Sequence, residues 1–240
     1  MKLKILGTGT ATPSLQRASS SYLLSTTWGG ILVDIGPSVV RRLLECGHTT
    51  NDVDMIALTH FHPDHTVDLA TFLFASNYGE QTRKKPLILL GGRGLEEFYK
   101  NFVRLYRWLS PVEYDLVLKS LPAGEWDLGG LSIQTSRSSH NPESIALRLR
   151  EGKSVVFTGD TGFSKDLITL AAHADLLVSE CSFPERKIRG HLNLAALQRI
   201  VKEAKPRQVI LSHLYPEWDT FEGTLHAPLL LGFDGLDIDL

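Results

Sequence analysis

Residues Met55–His65 read M-I-A-L-T-H-F-H-P-D-H. An apolar run short enough for one strand stops at Thr59, and His60, His62, Asp64 and His65 follow within six residues. In an extended segment alternate side chains share a face, so His60 and His62 point one way while Phe61 turns into apolar packing. Pro63 ends the extended run and disfavours a helical conformation at His62, which lets Asp64 and His65 face another direction. A lone histidine is more often a core or surface residue. Four potential ligands in six residues at a strand end read instead as a metal centre, and the two directions suit two neighbouring ions better than one.

Upstream, Lys2–Leu6 alternates charged and apolar residues as a strand does, and G-T-G-T-A-T-P (Gly7–Pro13) follows as a tight loop. No helical pattern succeeds those glycines, so they do not form a phosphate cradle. Ser20–Ser25 and Ile31–Asp34 read as a hairpin turning at Trp28-Gly29-Gly30. Asp34 at its end is either a turn residue or an acceptor for the backbone of the histidine loop. Pro37–Cys46 is a helix with proline in its first turn and Gly47 as its stop.

Downstream, Val67–Tyr78 is an apolar helix whose Leu69, Phe72, Leu73 and Phe74 are assigned to the core. Arg83-Lys84-Lys85, ahead of the strand Leu87–Leu90, reads as a solvated loop, with contact to phosphates as the less common alternative. Leu95–Leu109 is read as one helix with Phe98, Phe102, Leu105, Tyr106 and Leu109 along a core or pocket face.

In the second half, strands at Tyr114–Leu121 and Leu131–Ser136 lead to His140 before Asn141-Pro142, a turn that suits a ligand or a plain turn residue alike. Ser144–Arg150 and Val155–Phe157 form a hairpin running into T-G-D-T-G. There Asp160 is either a turn aspartate or a carboxylate placed to touch two ions. Helix Lys165–Ala172 and strand Asp175–Ser179 precede R-K-I-R-G-H-L-N-L. His191, in that run, stands just ahead of the amphipathic helix Leu194–Ala204. Val209–Ser212 then delivers His213, repeating the strand-then-histidine theme of Thr59-His60. Ala227–Leu240 is expected to pack as edge structure.

H-x-H-x-D-H after an apolar strand resembles the signature of the metallo-β-lactamase superfamily, and the resemblance extends over most of the chain, nearest to the branch of ribonuclease Z and related phosphodiesterases. It implies an α/β (α+β) four-layer αββα sandwich, with residues 1–240 as one domain. It implies that His60, His62 and His140 hold one divalent ion, that Asp64, His65 and His213 hold a second, and that Asp160 bridges them. Zn²⁺ suits a set of imidazoles and carboxylates, with Mn²⁺ or Fe as alternatives because no thiolate is present. A hydroxide shared by the ions would attack the phosphorus, with Asp64 in the catalytic set. His191 matches the family histidine that acts at the scissile phosphate without binding metal. A homodimer is also implied.

Nineteen residues separate His140 from Asp160 and read as a compact hairpin, where bacterial ribonuclease Z carries its arm for transfer RNA. A small molecule or short nucleotide substrate is therefore expected in preference to transfer RNA. The competing readings are a lactonase- or thioesterase-like carbonyl hydrolase, a diiron redox protein and a metal-binding module without turnover. His191 argues against the first, and His62, where diiron relatives carry glutamate, argues against the second.

Composition agrees. With 42% hydrophobic and 22% charged residues over 240 positions the chain can bury a sizeable core. A net charge of −2 excludes the overall basic character of a dedicated nucleic-acid binder, while leaving room for a local basic patch. Cys46 and Cys181 lie far apart without metal spacing, which suits a reducing cytoplasm. No stretch reaches membrane-spanning length.

Overall fold

The computed structural model describes residues 1–240. Two seven-stranded sheets lie face to face. The first is formed by β1 (Lys2–Gly7), β2 (Ser21–Ser25), β3 (Gly30–Val33), β4 (Met55–Ala57), β5 (Leu87–Gly91), β6 (Leu116–Ser120) and β14 (Asp237–Asp239). Its spatial order is β14-β1-β2-β3-β4-β5-β6. The second contains β7 (Gly124–Asp127), β8 (Ser132–Arg137), β9 (Ile145–Glu151), β10 (Lys153–Phe157), β11 (Leu176–Glu180), β12 (Gln208–Ser212) and β13 (Leu229–Leu231). Its order is β13-β12-β11-β10-β9-β8-β7.

Each sheet joins an antiparallel half to a parallel half. Strands β14 to β3 pair antiparallel and β3 to β6 parallel. In the second sheet β7 to β10 are antiparallel and β10 to β13 parallel. The inner parallel strands β4, β5, β11 and β12 are buried on both faces, which is why they read as continuous apolar runs, whereas the edges β6 and β13 are partly exposed.

The helices are α1 (Val39–Glu45), α2 (Pro63–Thr66), α3 (Leu69–Tyr78), α4 (Leu95–Leu105), α5 (Lys165–Ala171) and α6 (Leu194–Ala204). Alternation along the strands sorts the apolar residues into three layers of core. Ile31, Val33, Met55 and Ala57 face Leu147, Phe157 and Val178 between the sheets. Leu32, Ile56 and Leu89 turn outward onto Leu43, Phe72 and Leu95 of α1, α3 and α4. Val156, Leu177 and Val209 turn onto Leu167, Leu197 and Ile200 of α5 and α6. This is the αββα sandwich expected from the sequence. The C-terminal segment supplies an edge strand to each sheet, β13 and β14.

Three local expectations require correction. Arg83 is fully buried, not solvated: its guanidinium donates to the carbonyls of Lys85, Thr50 and Pro86 at 2.6–3.0 Å. Only Lys84 and Lys85 take surface ion pairs, with Glu113 and Asp54. The helix read as Leu95–Leu109 stops at Leu105, and Tyr106 turns extended at φ −128°. The Asn77 side chain of α3 donates to Trp108 O and Ser110 O and accepts from Val112 N, pinning the chain away from the helical path. Leu105 and Tyr106 consequently face solvent, as does Phe74, which packs its ring against Tyr78. Strand β7 was not legible because G-E-W-D is short, polar and an edge.

Parallel strands place their carboxyl ends on one rim of the sandwich, where α/β proteins build ligand sites. Asp34, Thr59, Asp160, Glu180 and His213 all occur at or just beyond such ends.

Candidate metal centre

Asp34 organises the histidine loop from beneath. It lies in the left-handed region at φ 59°, and its Oδ1 accepts from Thr59 N at 2.7 Å. Its Oδ2 accepts from Thr59 Oγ1 and from His65 Nδ1, both at 2.8 Å. Past His62, Pro63 opens α2 at its first position, turning the chain so that His65 folds back toward Asp34. Gly36 lies so close to the Asp64 carbonyl that a Cβ there would collide with it.

His60, His62 and His140 meet through their inner nitrogens. His62 Nδ1 lies 3.0 Å from His60 Nε2 and 3.3 Å from His140 Nε2. Their outer nitrogens are engaged elsewhere: His60 Nδ1 with Thr59 Oγ1 at 3.1 Å, His62 Nε2 with the Asn141 amide at 3.0 Å, and His140 Nδ1 with Gly190 O at 3.0 Å. A carbonyl can only accept, so His140 carries its proton on Nδ1 and aims the Nε2 lone pair inward.

Asp64, His65 and His213 form a second group. Asp64 Oδ2 is 3.5 Å from His65 Nε2 and 3.5 Å from His213 Nε2. His213 adopts φ 52°, a strained value for a non-glycine residue and one that turns its ring back over the rim. Its Nδ1 meets Ser182 Oγ at 3.1 Å.

Asp160 stands between the groups. Its Oδ1 is 3.5 Å from His65 Nε2 and 3.3 Å from His213 Nε2, while its Oδ2 is 3.7 Å from His60 Nε2 and 3.8 Å from His140 Nε2. Gly159 makes this approach possible, since a Cβ there would sit 2.6 Å from the Thr59 Cβ.

His65 Nε2, His213 Nε2 and Asp160 Oδ1 are buried without any hydrogen-bond partner. Orphaned buried polar atoms are costly, and three aimed at one another call for a cation. Tetrahedral bonds of about 2.0–2.1 Å would put neighbouring donors about 3.3–3.4 Å apart, close to the spacings found in the second group. The residues present therefore fit divalent metal.

Electrostatics point the same way. Burial pushes the Asp64 carboxyl up, but the His213 and His65 imidazoles beside it more than offset this and hold it well below the usual range. Asp160 is likewise held low: burial is outweighed by His213, His65 and His60. Burial keeps His60 neutral, the form that binds metal, whereas at His65 burial is outweighed by Asp160 and Asp34, which raise its pKa, so a cation there has to displace the His65 proton.

His191 occupies the edge of this cluster, its ring stacked on His213 with centroids 5.7 Å apart. Its Nδ1 is 3.3 Å from Glu180 Oε1, 3.2 Å from Ser182 Oγ and 3.9 Å from Asp160 Oδ2. Burial opposes the charged form of His191, yet Glu180 raises its pKa overall. Glu180 is itself almost fully buried and accepts from Thr161 N at 2.5 Å, Ser182 Oγ at 2.7 Å and Leu192 N at 3.1 Å.

All eight residues singled out by sequence, His60, His62, Asp64, His65, His140, Asp160, His191 and His213, thus converge. Glu180, Ser182 and Asn141 were missed. A glutamate closing the apolar run Leu176–Ser179 was the available signal for the first.

The family model described as "Anti-Pycsar protein Apyc1" matches residues 1–230. The chain belongs to that family. Among curated relatives of this Apyc1-family chain, "Probable metallo-hydrolase YhfI" of Bacillus subtilis is 28% identical, with 89% of the chain and 87% of the relative covered. "Ribonuclease Z" of Mycobacterium sp. (strain KMS) is 30% identical, with 90% and 85% covered. The crystal structure of human tRNase Z, short form, superposes with a TM-score of 0.85 at 20% identity over 100% of this chain and 99% of that one. The Apyc1-family chain is accordingly a ribonuclease Z-like hydrolase of the metallo-β-lactamase superfamily. No helix in it is long and apolar enough to cross a membrane.

Proposed function

We propose that this chain is a dinuclear metal-dependent phosphodiesterase acting on a small nucleotide or RNA-type phosphodiester. The observation that carries the proposal is the division of Asp160, whose two oxygens serve two separate donor groups. His60, His62 and His140 would hold one ion, Asp64, His65 and His213 the other, and Asp160 both. Zn²⁺ fits best, with Mn²⁺ or Fe as alternatives. When bound, such a pair supplies a nucleophilic oxygen at neutral pH and neutralises charge on the phosphoryl group.

The chain's own residues do the rest. Burial of His60, His65 and Asp160 keeps bulk water from the reacting centre. Asp34, Gly190 and Ser182 fix the outward nitrogens of His65, His140 and His213, so the inner lone pairs stay aimed without reorganisation. Glu180 and Ser182 occupy Nδ1 of His191, which leaves Nε2 to give a proton to the leaving oxygen. The β9–β10 hairpin turns at Gly152 and offers no arm between His140 and Asp160. A compact substrate is favoured over transfer RNA for that reason.

Apoprotein reloaded with Zn²⁺ or Mn²⁺ is to be offered bis(p-nitrophenyl) phosphate, a lactone and a thioester. Metal-dependent turnover of the diester is the expected result. Preference for either carbonyl substrate would refute the proposal and leave His191 a structural residue.

A further inference from the structure

One basic run remains without a role in the proposed chemistry. Arg186-Lys187-Ile188-Arg189 precedes His191, and only its first residue is neutralised, by Glu217 at 2.7 Å. Lys187 and Arg189 instead line a cavity of about 420 Å³ together with Phe163, His191 and Arg199. No aspartate or glutamate lines it. Gly162 and Gly190 also line it, and His191 in its wall brings it to the rim of the metal centre. Arg199 lies over one face of the Phe163 ring, 4.3 Å from its centroid.

A second cavity, lined in part by Asp64, provides the contrast. It measures about 650 Å³, and its Arg17, Arg41 and Arg42 are matched by Glu45, Asp64 and Asp234. Those arginines are already paired, Arg17 with Asp219 and the other two with Glu45. The His191 side thus presents Lys187, Arg189 and Arg199 without an acidic partner, in a chain whose net charge is −2.

Resting on the phosphodiesterase reading, we propose that this cavity is the subsite for the leaving-group nucleotide, and that it selects linear diesters bearing a further phosphate there. His191 sets the side, because the group that protonates the leaving oxygen must adjoin the leaving group. Lys187 and Arg189 meet the additional phosphate, and the Phe163–Arg199 pair offers the flat, cationic surface on which a base stacks. A substrate with the scissile phosphate alone leaves Lys187 and Arg189 unused.

The test compares a dinucleoside monophosphate with the same compound phosphorylated at its 5′ end or at its 3′ end, in Zn²⁺-loaded wild type and in the variant Lys187→Glu/Arg189→Glu. The wild type is expected to favour one phosphorylated form by about tenfold in kcat/KM. That advantage should fall as salt rises, because the cations are exposed, and it should disappear in the variant and return in Lys187→Arg/Arg189→Lys. Metal content, measured alongside, checks that the Gly190 support of His140 survives. Equal handling of all three diesters, or a preference the variant retains, overturns the subsite. Calorimetric titration of metal-free protein with the phosphorylated dinucleotides separates the two proposals. Binding lost in the variant supports the cavity even if no diester is hydrolysed. Binding unchanged by charge reversal refutes it while the phosphodiesterase reading stands.

Discussion

Glu180 holds His191 through a buried contact, its Oε1 lying 3.3 Å from the imidazole Nδ1. Its Oε2 accepts from Ser182 Oγ, which in turn meets His213. One carboxylate thus reaches both a proposed metal ligand and the proposed proton donor. Glu180→Gln keeps the shape and removes the charge. A fall in kcat of about 10–100-fold with both ions retained is expected, read from turnover and metal analysis together. Loss of an ion in this variant would instead give Glu180 a role in metal retention.

Asp64 and His191 should separate cleanly. Asp64→Ala removes a donor from the second group and should abolish diester hydrolysis while lowering metal content. His191→Ala should slow cleavage with two ions still bound. If His191→Ala loses metal, the division of roles is wrong, and its 3.9 Å approach to Asp160 becomes part of the metal site.

Asp34 touches no substrate, yet it fixes both Thr59 and His65. Asp34→Asn leaves a donor facing either Thr59 or His65. Metal affinity should weaken about 10–100-fold, more for the ion held by His65 than for the other. Competition titration with a chromophoric chelator measures it.

Metal removal should destabilise the fold. His65, His213 and Asp160 present unpartnered buried atoms, and a ligand that binds only the native state stabilises it by about 4 kcal/mol at a thousandfold excess over Kd. Thermal unfolding of chelator-treated and reloaded protein should differ by several degrees. Identical melting would argue against resident ions.

Arg83 is a purely structural test. Arg83→Ala strands three carbonyls that the guanidinium satisfies and leaves a cavity, at a cost of about 3 kcal/mol or more. Denaturant unfolding should show it, with metal content unchanged in the folded fraction.

The sequence by itself determined most strands and helices and the cluster of ligand candidates from His60 to His65, because apolar periodicity is local and those four residues occupy six consecutive positions. The layered arrangement and the roles expected of His140, Asp160 and His213 came from the family resemblance. Tertiary structure decided what depends on residues distant along the chain. Arg83 looks solvated until its guanidinium finds the Thr50 carbonyl 33 positions away. Tyr106 looks helical until Asn77 captures the carbonyls that follow it. Glu180 and Ser182 look like strand-end residues until β11 and β12 set them beside His191 and His213. Asp234 gives no local sign that its carboxylate binds Thr8 and Ala18, anchoring the Gly-Thr-Gly loop. Ligand type follows from side-chain chemistry and spacing, whereas which buried partner orients each ligand is settled only when the two sheets close on each other.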